Sequence, residues 1–219
     1  MDLKLVVDFL KKLNKNNNRE WFMDNKPMYQ EAHASFVELT ASLIDQIGKF
    51  APDISTLEPK KCVFRIYRDV RFSKDKSPYK TNFGTSMKPG GRKSPYGGYY
   101  IHIHPTESFV AGGIYHPESL NLSKIRQEID YNPQVINKLI SNKKFKDAFQ
   151  EVKGDKLKRP PKGYDESHPD IELLKHKDFI VYSGLTVKEV LSNDFIKSAV
   201  GKFKLMKPFN DYFNTAIQD

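Results

Sequence analysis

Four short segments, CVFRIYRDV (residues 62–70), TNFGTSMK (81–88), GYYIHIH (98–104) and ESFVAG (107–112), decide the fold. In the first, Cys62, Phe64 and Ile66 alternate with Val63, Arg65, Tyr67 and Asp69. That is the two-residue period of a strand with unlike faces. The links SKDKSP, PGGRKSPYGG and Pro105-Thr106 are short and rich in turn formers, so the segments are predicted to run as an antiparallel meander.

Helical periodicity flanks this region. Leu3, Val6, Val7, Leu10 and Leu13 form one stripe, ended by the polar run Asn14 to Asn18. Asn17 and Glu20 are spaced as a capping pair for a brief turn carrying Trp21 and Phe22, which reads as packing rather than as a stacking platform for bases. Pro27 opens a longer helix through Phe36, Leu39, Leu43 and Ile47, stopped at Ala51-Pro52. Past Pro117 the spacing of Leu122, Ile125 and Ile129, then of Val135, Leu139 and Ile140, predicts two more helices, the second restarted at Pro133. VKGDKLKRPPKGYDESHP (152–169) has no period, and Pro160-Pro161 cannot lie inside a helix. It is expected as an ordered strap whose Lys156, Lys158, Arg159, Lys162, Tyr164 and His168 could cover a pocket. A strand over Phe179–Ser183 and two helices, about Asn193–Leu205 and Pro208–Ala216, complete an α+β fold: an antiparallel meander of about four to six strands packed against N-terminal and C-terminal helices, in one domain over residues 1–219.

Lys plus Arg exceed Asp plus Glu by 36 to 27, a formal net charge of +9, so anionic partners are expected. Cys62 is the only cysteine, which excludes an intrachain disulfide and points to a reducing cytoplasm. On the apolar side of its strand it reads as a small buried hydrophobe, not a nucleophile. No stretch approaches the ~20 apolar residues of a membrane span. Walker, GxSxG, HExxH and dinucleotide-fingerprint motifs are absent from the chain.

Only seven arginines occur, yet Arg65, Arg68 and Arg71 fall within seven positions, and Lys74, Lys76, Tyr79 and Lys80 follow in a hairpin connection. Guanidinium forks match phosphate or carboxylate oxygens, so these seven residues are the expected anion-binding set. Strand alternation puts Arg65, Tyr67 and Asp69 on one face, and Tyr100, His102 and His104 on one face of a later strand. If the two strands are neighbours, Asp69 orients an imidazole or an arginine and His102 serves as acid or base. The competing reading is a structural ion-pair network on a covered sheet face. His102 and His104, with Glu107, His116 or Asp69 as a third ligand, make only a weak metal pattern, and neither a metal nor a cofactor is expected. Gly112-Gly113 is expected to permit a bulge, a sheet-edge turn or a close backbone approach.

NNREWF (17–22), FRIYRDVRFSKDKSPYKTNFG (64–84), GGYYIHI (97–103) and KLKRPPKGYD (156–165) occur in an order that resembles domain-of-unknown-function family 2461, found in bacteria and fungi. The likeness runs from about Leu3 to Phe213. It implies a single-domain architecture and carries no activity. It draws attention to Arg65, Arg68, Asp69, Arg71, Ser73, Lys74, Asp75, Lys76, Tyr79, Lys80 and Thr81, and it implies variation at His104, which weakens a paired-histidine metal site.

The expected function is binding of a compact phosphate- or carboxylate-bearing ligand in an arginine-rich pocket on the sheet, with enzymatic turnover left open. The alternatives are a nucleic-acid module using the basic surface and a protein-interaction module.

Overall fold

The computed structural model describes residues 1–218. Helices α1 (Leu3–Lys15), α2 (Arg19–Asp24), α3 (Lys26–Gly48) and α4 (Pro59–Cys62) precede strands β1 (Phe83–Met87), β2 (Gly98–Ile103) and β3 (Ser108–Ile114). Then come α5 (Ser119–Tyr131), α6 (Pro133–Ser141), α7 (Lys143–Phe149), α8 (Ile171–Leu174), β4 (Phe179–Leu185), α9 (Val187–Val190) and α10 (Phe195–Gln218). No helix among the described residues is long and apolar enough to cross a membrane.

The sheet is antiparallel with order β1-β2-β3-β4, so the first three strands form the expected meander and β4 joins after the helical excursion. Register assigns each face. Phe83, Thr85 and Met87 lie opposite Ile103, Ile101 and Tyr99, and Val110 lies opposite Ile101; all are buried. The intervening residues Gly84, Ser86, Tyr100, His102, Phe109, Ala111, Ile180, Tyr182 and Gly184 fall on the other face, where among the described residues no helix lines the cleft.

Helices explain the buried face. Phe83 stacks on Phe36 of α3 and Phe9 of α1, with ring centroids 5.3 and 6.0 Å apart. Helix α10 crosses β3 and brings Phe203 to Tyr99 at 5.3 Å and Phe213 to Phe179 at 4.8 Å. Each fully buried Phe stabilises the fold by about 1.5–3 kcal/mol relative to an exposed one. Gly112 and Gly113 mark close approach: a Cβ on Gly112 would meet Met206 Sδ at 2.8 Å, and Gly113 has φ +114°.

Several expectations are corrected. Residues 62–69 do not form a regular strand. Cys62 ends α4, Val63 bridges Thr85, and Phe64 N–H donates to Gly84 O at 2.9 Å. Beyond Ile66 the partner changes to the returning arm of the same hairpin, with Lys80 N–H on Ile66 O at 2.8 Å and Arg68 N–H on Pro78 O at 3.0 Å. A segment that divides its pairing, opposite a proline without an N–H, cannot complete a ladder. The cap of α2 is Asn18, which accepts from Trp21 N–H at 2.9 Å. Asn17 instead clamps Tyr79, donating to its carbonyl at 2.9 Å and accepting from its N–H at 3.1 Å. The two predicted C-terminal helices are one, with Pro208 inside it. Pro208 and Lys204 are both exposed, so the Lys204 carbonyl that loses its donor can be hydrated.

The 152–169 strap is ordered, but it runs along β4 and α5. Lys153 bridges Ile180, and His168 Nε2 lies 3.1 Å from Asp130 Oδ1. The buried Asp178 carboxylate accepts from Asp155 N–H at 3.1 Å and His116 N–H at 2.6 Å, tying the strap to the loop after β3.

Gly113→Ala tests the β3–β4 approach. A Cβ there would lie 2.0 Å from Phe179 O on a backbone that disfavours L side chains, so urea unfolding is expected to show a loss of at least about 2 kcal/mol. An unchanged midpoint would contradict the register.

Candidate functional site

The uncovered face of the sheet forms the floor of a cleft of about 600 Å³. Ser86 and Lys88 of the β1 side, Tyr100 and His102 of β2, and Phe109 and Ala111 of β3 line the floor, while Phe64, Lys80, Arg92 and Tyr115 build the walls. Lys88 continues the alternation of Gly84 and Ser86 past the end of β1, which explains why it faces the cleft. Arg92 comes from the β1–β2 connection, where Gly90 and Gly91 adopt positive φ.

Charge in this cleft is one-sided. Lys80, Lys88 and Arg92 line it, and among the described residues its lining includes no Asp or Glu. The Arg92 guanidinium sits 4.8 Å from the centroid of the Phe64 ring, and Lys80 Nζ sits 5.5 Å from it. Arg92 Nε donates to Lys61 O at 2.6 Å, and Lys88 Nζ donates to Ser94 O at 2.8 Å. Burial pushes the Lys80 ammonium below the usual lysine pKa, helped by the nearby guanidiniums of Arg65 and Arg92; burial alone does the same to Lys88. An anion is the partner these groups lack.

At the floor, Tyr100 Oη lies 3.2 Å from His102 Nδ1. Gly84 makes room for the phenol, because a Cβ there would meet Tyr100 Oη at 2.4 Å. Burial raises the Tyr100 hydroxyl to about 12 and lowers His102 to about 4, with the neighbouring His104 adding to the second shift. Both groups are therefore neutral near pH 7. With the phenol as donor to Nδ1, the imidazole carries its proton on Nε2 and presents it as a donor. The His102 ring lies flat on Phe109, with centroids 4.6 Å apart and planes 12° apart.

The residues expected from sequence divide between this cleft and elsewhere. Lys80 and His102 line it. Arg65 is exposed outside the lining, and its charge still reaches Lys80. Arg71 holds Asp69 through two bonds, Nε to Oδ1 at 2.9 Å and Nη2 to Oδ2 at 2.6 Å. Asp69 thus does not orient His102, a role that Tyr100 occupies. Arg68 pairs with Asp75 and also donates to Ser77 O and Ser73 Oγ at 3.3 Å each. Hydrogen bonds from Ser77 and then from Arg68 lower the Asp75 carboxyl to about 2. Lys76 Nζ donates to Val70 O at 3.1 Å, Lys74 is exposed, and Tyr79 is buried with its ring on Phe22 at 3.9 Å. The two carboxylates of residues 68–77 hold Arg68 and Arg71, and six of the seven expected ligand residues lie outside the cleft lining: Arg65 flanks it, and Arg68, Arg71, Lys74, Lys76 and Tyr79 stand apart.

His104 closes a turn. Its Nδ1 accepts from Thr106 N–H and Glu107 N–H, both at 3.2 Å, which leaves Nε2–H toward Thr81 Oγ1 at 3.3 Å. His116 lies at the opposite end of β3, with Nδ1 3.0 Å from Asp178. Among the described residues no group of three or more His, Cys, Asp or Glu is placed to hold a metal. Cys62 is buried, and burial raises its thiol pKa.

Lys88, Arg92 and Phe109 are site residues that sequence reasoning did not select, and Tyr100 was placed on the site face without a role. Strand parity could have found Lys88, because it shares the phase of Ser86. Arg92 carried a weaker signal as an arginine inside a glycine-rich turn.

A second hollow of about 240 Å³ lies between Ala51–Ile54, the start of β2 and the last turns of α10. Asp53 and Asp211 are in its wall with Lys207, which pairs with Asp211 at 2.5 Å, so the hollow carries no surplus of positive charge.

A family model described as "Conserved hypothetical protein (DUF2461)" matches residues 5–212, in agreement with the resemblance carried by the sequence motifs. No curated protein and no solved structure matches the chain.

The His102 shift has a consequence for acid stability. Its pKa of about 4 in the folded protein lies below the ordinary 6.5, so between those values the unfolded chain binds more protons. The neutral ring's contribution is full above pH 6.5 and is lost as pH falls to about 4. Denaturation curves across this window are expected to fall less steeply for His102→Phe than for the wild type; parallel curves would contradict the buried neutral imidazole.

Proposed function

The chain belongs to the DUF2461 family of conserved hypothetical proteins, a membership that carries no activity with it, and we propose that the cleft on its open sheet face binds a compact anionic ligand. The whole chain acts as one domain around this cleft. The observation that carries the reading is the lining itself: Lys80, Lys88 and Arg92 converge without an acidic neighbour in the wall. Lys80 and Lys88 are half-buried with no carboxylate in the wall, Arg92 adds an exposed guanidinium at its edge, and a phosphate or carboxylate entering between them relieves the cost of the buried charges.

Aromatic walls define the rest of the ligand. Phe64, Tyr100, Phe109 and Tyr115 offer ring surfaces, and the volume suits a small molecule with a planar or apolar body attached to its charged group. The neutral Tyr100–His102 pair supplies a donor at Nε2, able to hydrogen-bond a carbonyl or phosphoryl oxygen and to exchange a proton with it. Arg65 belongs to this reading as a flanking charge. The self-paired Arg68 and Arg71 do not.

Titration calorimetry with phenyl phosphate distinguishes the two arginine groups. Arg92→Gln and Lys88→Gln are each expected to weaken binding by about tenfold, equivalent to ~1.4 kcal/mol, whereas Arg71→Gln leaves it unchanged. Equal losses in all three variants, or binding of unrelated nucleic acids that falls steeply with added salt, would replace the cleft by the general basic surface.

A further inference from the structure

We infer that Lys80 is a carbonyl-capturing amine: the cleft takes compounds that carry an aldehyde or ketone beside their anionic group, and Lys80 forms a Schiff base with them. This rests on the anion-binding reading of the same cleft and adds the reaction that its residues support.

The two lysines of the cleft differ in what they touch. Lys88 Nζ is committed to Ser94 O at 2.8 Å. Lys80 Nζ, among the described residues, has no hydrogen bond and no ion pair, only the Phe64 ring 5.5 Å away. Arg92 shares that ring, and Arg65 adds a second guanidinium to the surroundings of Lys80. A partly desolvated amine beside other cations is the arrangement that yields nucleophilic lysines, because loss of its proton relieves both burial and repulsion. Burial first, and then the guanidiniums of Arg65 and Arg92, lower its pKa. Charge for holding an anion is already supplied by Arg92 and Lys88, which leaves Lys80 free for covalent chemistry.

The step balances without any further reactant. The unprotonated amine attacks the carbonyl carbon, a C–N bond forms, and the carbonyl π pair moves to oxygen, which is protonated. The resulting carbinolamine loses its hydroxyl as water together with the remaining N–H proton, giving the imine; hydrolysis reverses the sequence. His102 Nε2–H lies in the same cleft as a hydrogen-bond donor for the oxygen on which charge develops.

Pyridoxal phosphate, an anionic aryl aldehyde, is the probe, and pyridoxine phosphate, the same molecule with an alcohol in place of the aldehyde, is the control. The full chain is treated with substoichiometric pyridoxal phosphate near pH 7.5, reduced with cyanoborohydride and mapped by peptide mass spectrometry. The expected result is a reduced adduct on Lys80 at about tenfold or more over the average of the other lysines. Lys80→Arg should lose this adduct, whereas Lys74→Arg, at an exposed position outside the cleft, should keep the adduct on Lys80. Labelling spread evenly over the lysines, or centred on Lys88, would overturn the inference. Pyridoxine phosphate binding with no adduct on Lys80 would overturn it too, while leaving the anion site standing. Failure of pyridoxine phosphate to bind the wild type would overturn both.

Discussion

A sheet covered by helices on one face only is the constraint from which the site follows. Alternation sends Phe83, Thr85, Ile101 and Val110 toward α1, α3 and α10, and it must send Ser86, Tyr100, His102 and Phe109 the other way. Among the described residues no helix lines the cleft over that second set, and only loop side chains such as Phe64, edge-to-face with Tyr100 at 6.1 Å, reach it. The loops at the edges, residues 63–66, 80–82 and 88–92, rise around it and turn an exposed face into a cleft. The hydrophobic packing behind the sheet therefore fixes the geometry in front of it. A one-residue slip of β2 would exchange Ile101 for His102 and abolish both.

Charge is handled in two ways within a few residues. Along residues 68–77 each arginine has its carboxylate, the exposed Arg71 with Asp69 and the half-buried Arg68 with the exposed Asp75. In the cleft, half-buried Lys80 and Lys88 meet the exposed Arg92 without an acid in the lining, beside a neutral tyrosine–histidine pair. Solvated, paired charges need no further partner, whereas a cluster of like charges at the mouth of a partly apolar cavity attracts one.

Much of the fold was legible in the sequence because it depends on periodicity. The stripes of α1 and α3, the strands around Thr85, Ile101 and Val110, and the return to helix after Pro117 all come from burial of one face. The irregular path of residues 62–69 was not legible, since alternation marks which side is apolar but not whether one partner strand accompanies the whole segment. The unbroken α10 escaped for a related reason: local proline chemistry argues for a break at Pro208, while packing of Phe203, Met206, Phe209 and Phe213 holds the helix together. In the site, His102 and Lys80 followed from pattern. The arginine cluster misled because proximity in sequence does not reveal which guanidinium already has a carboxylate two or seven residues away.

The most direct measurement is an amide and side-chain NMR titration of the full chain with phenyl phosphate. The account predicts saturable shifts concentrated at Ser86, Lys88, Arg92, Tyr100 and His102, with the amides of Asp69 to Lys76 unmoved. Shifts centred on Arg68, Arg71 and Lys74, with the open sheet face silent, would contradict it.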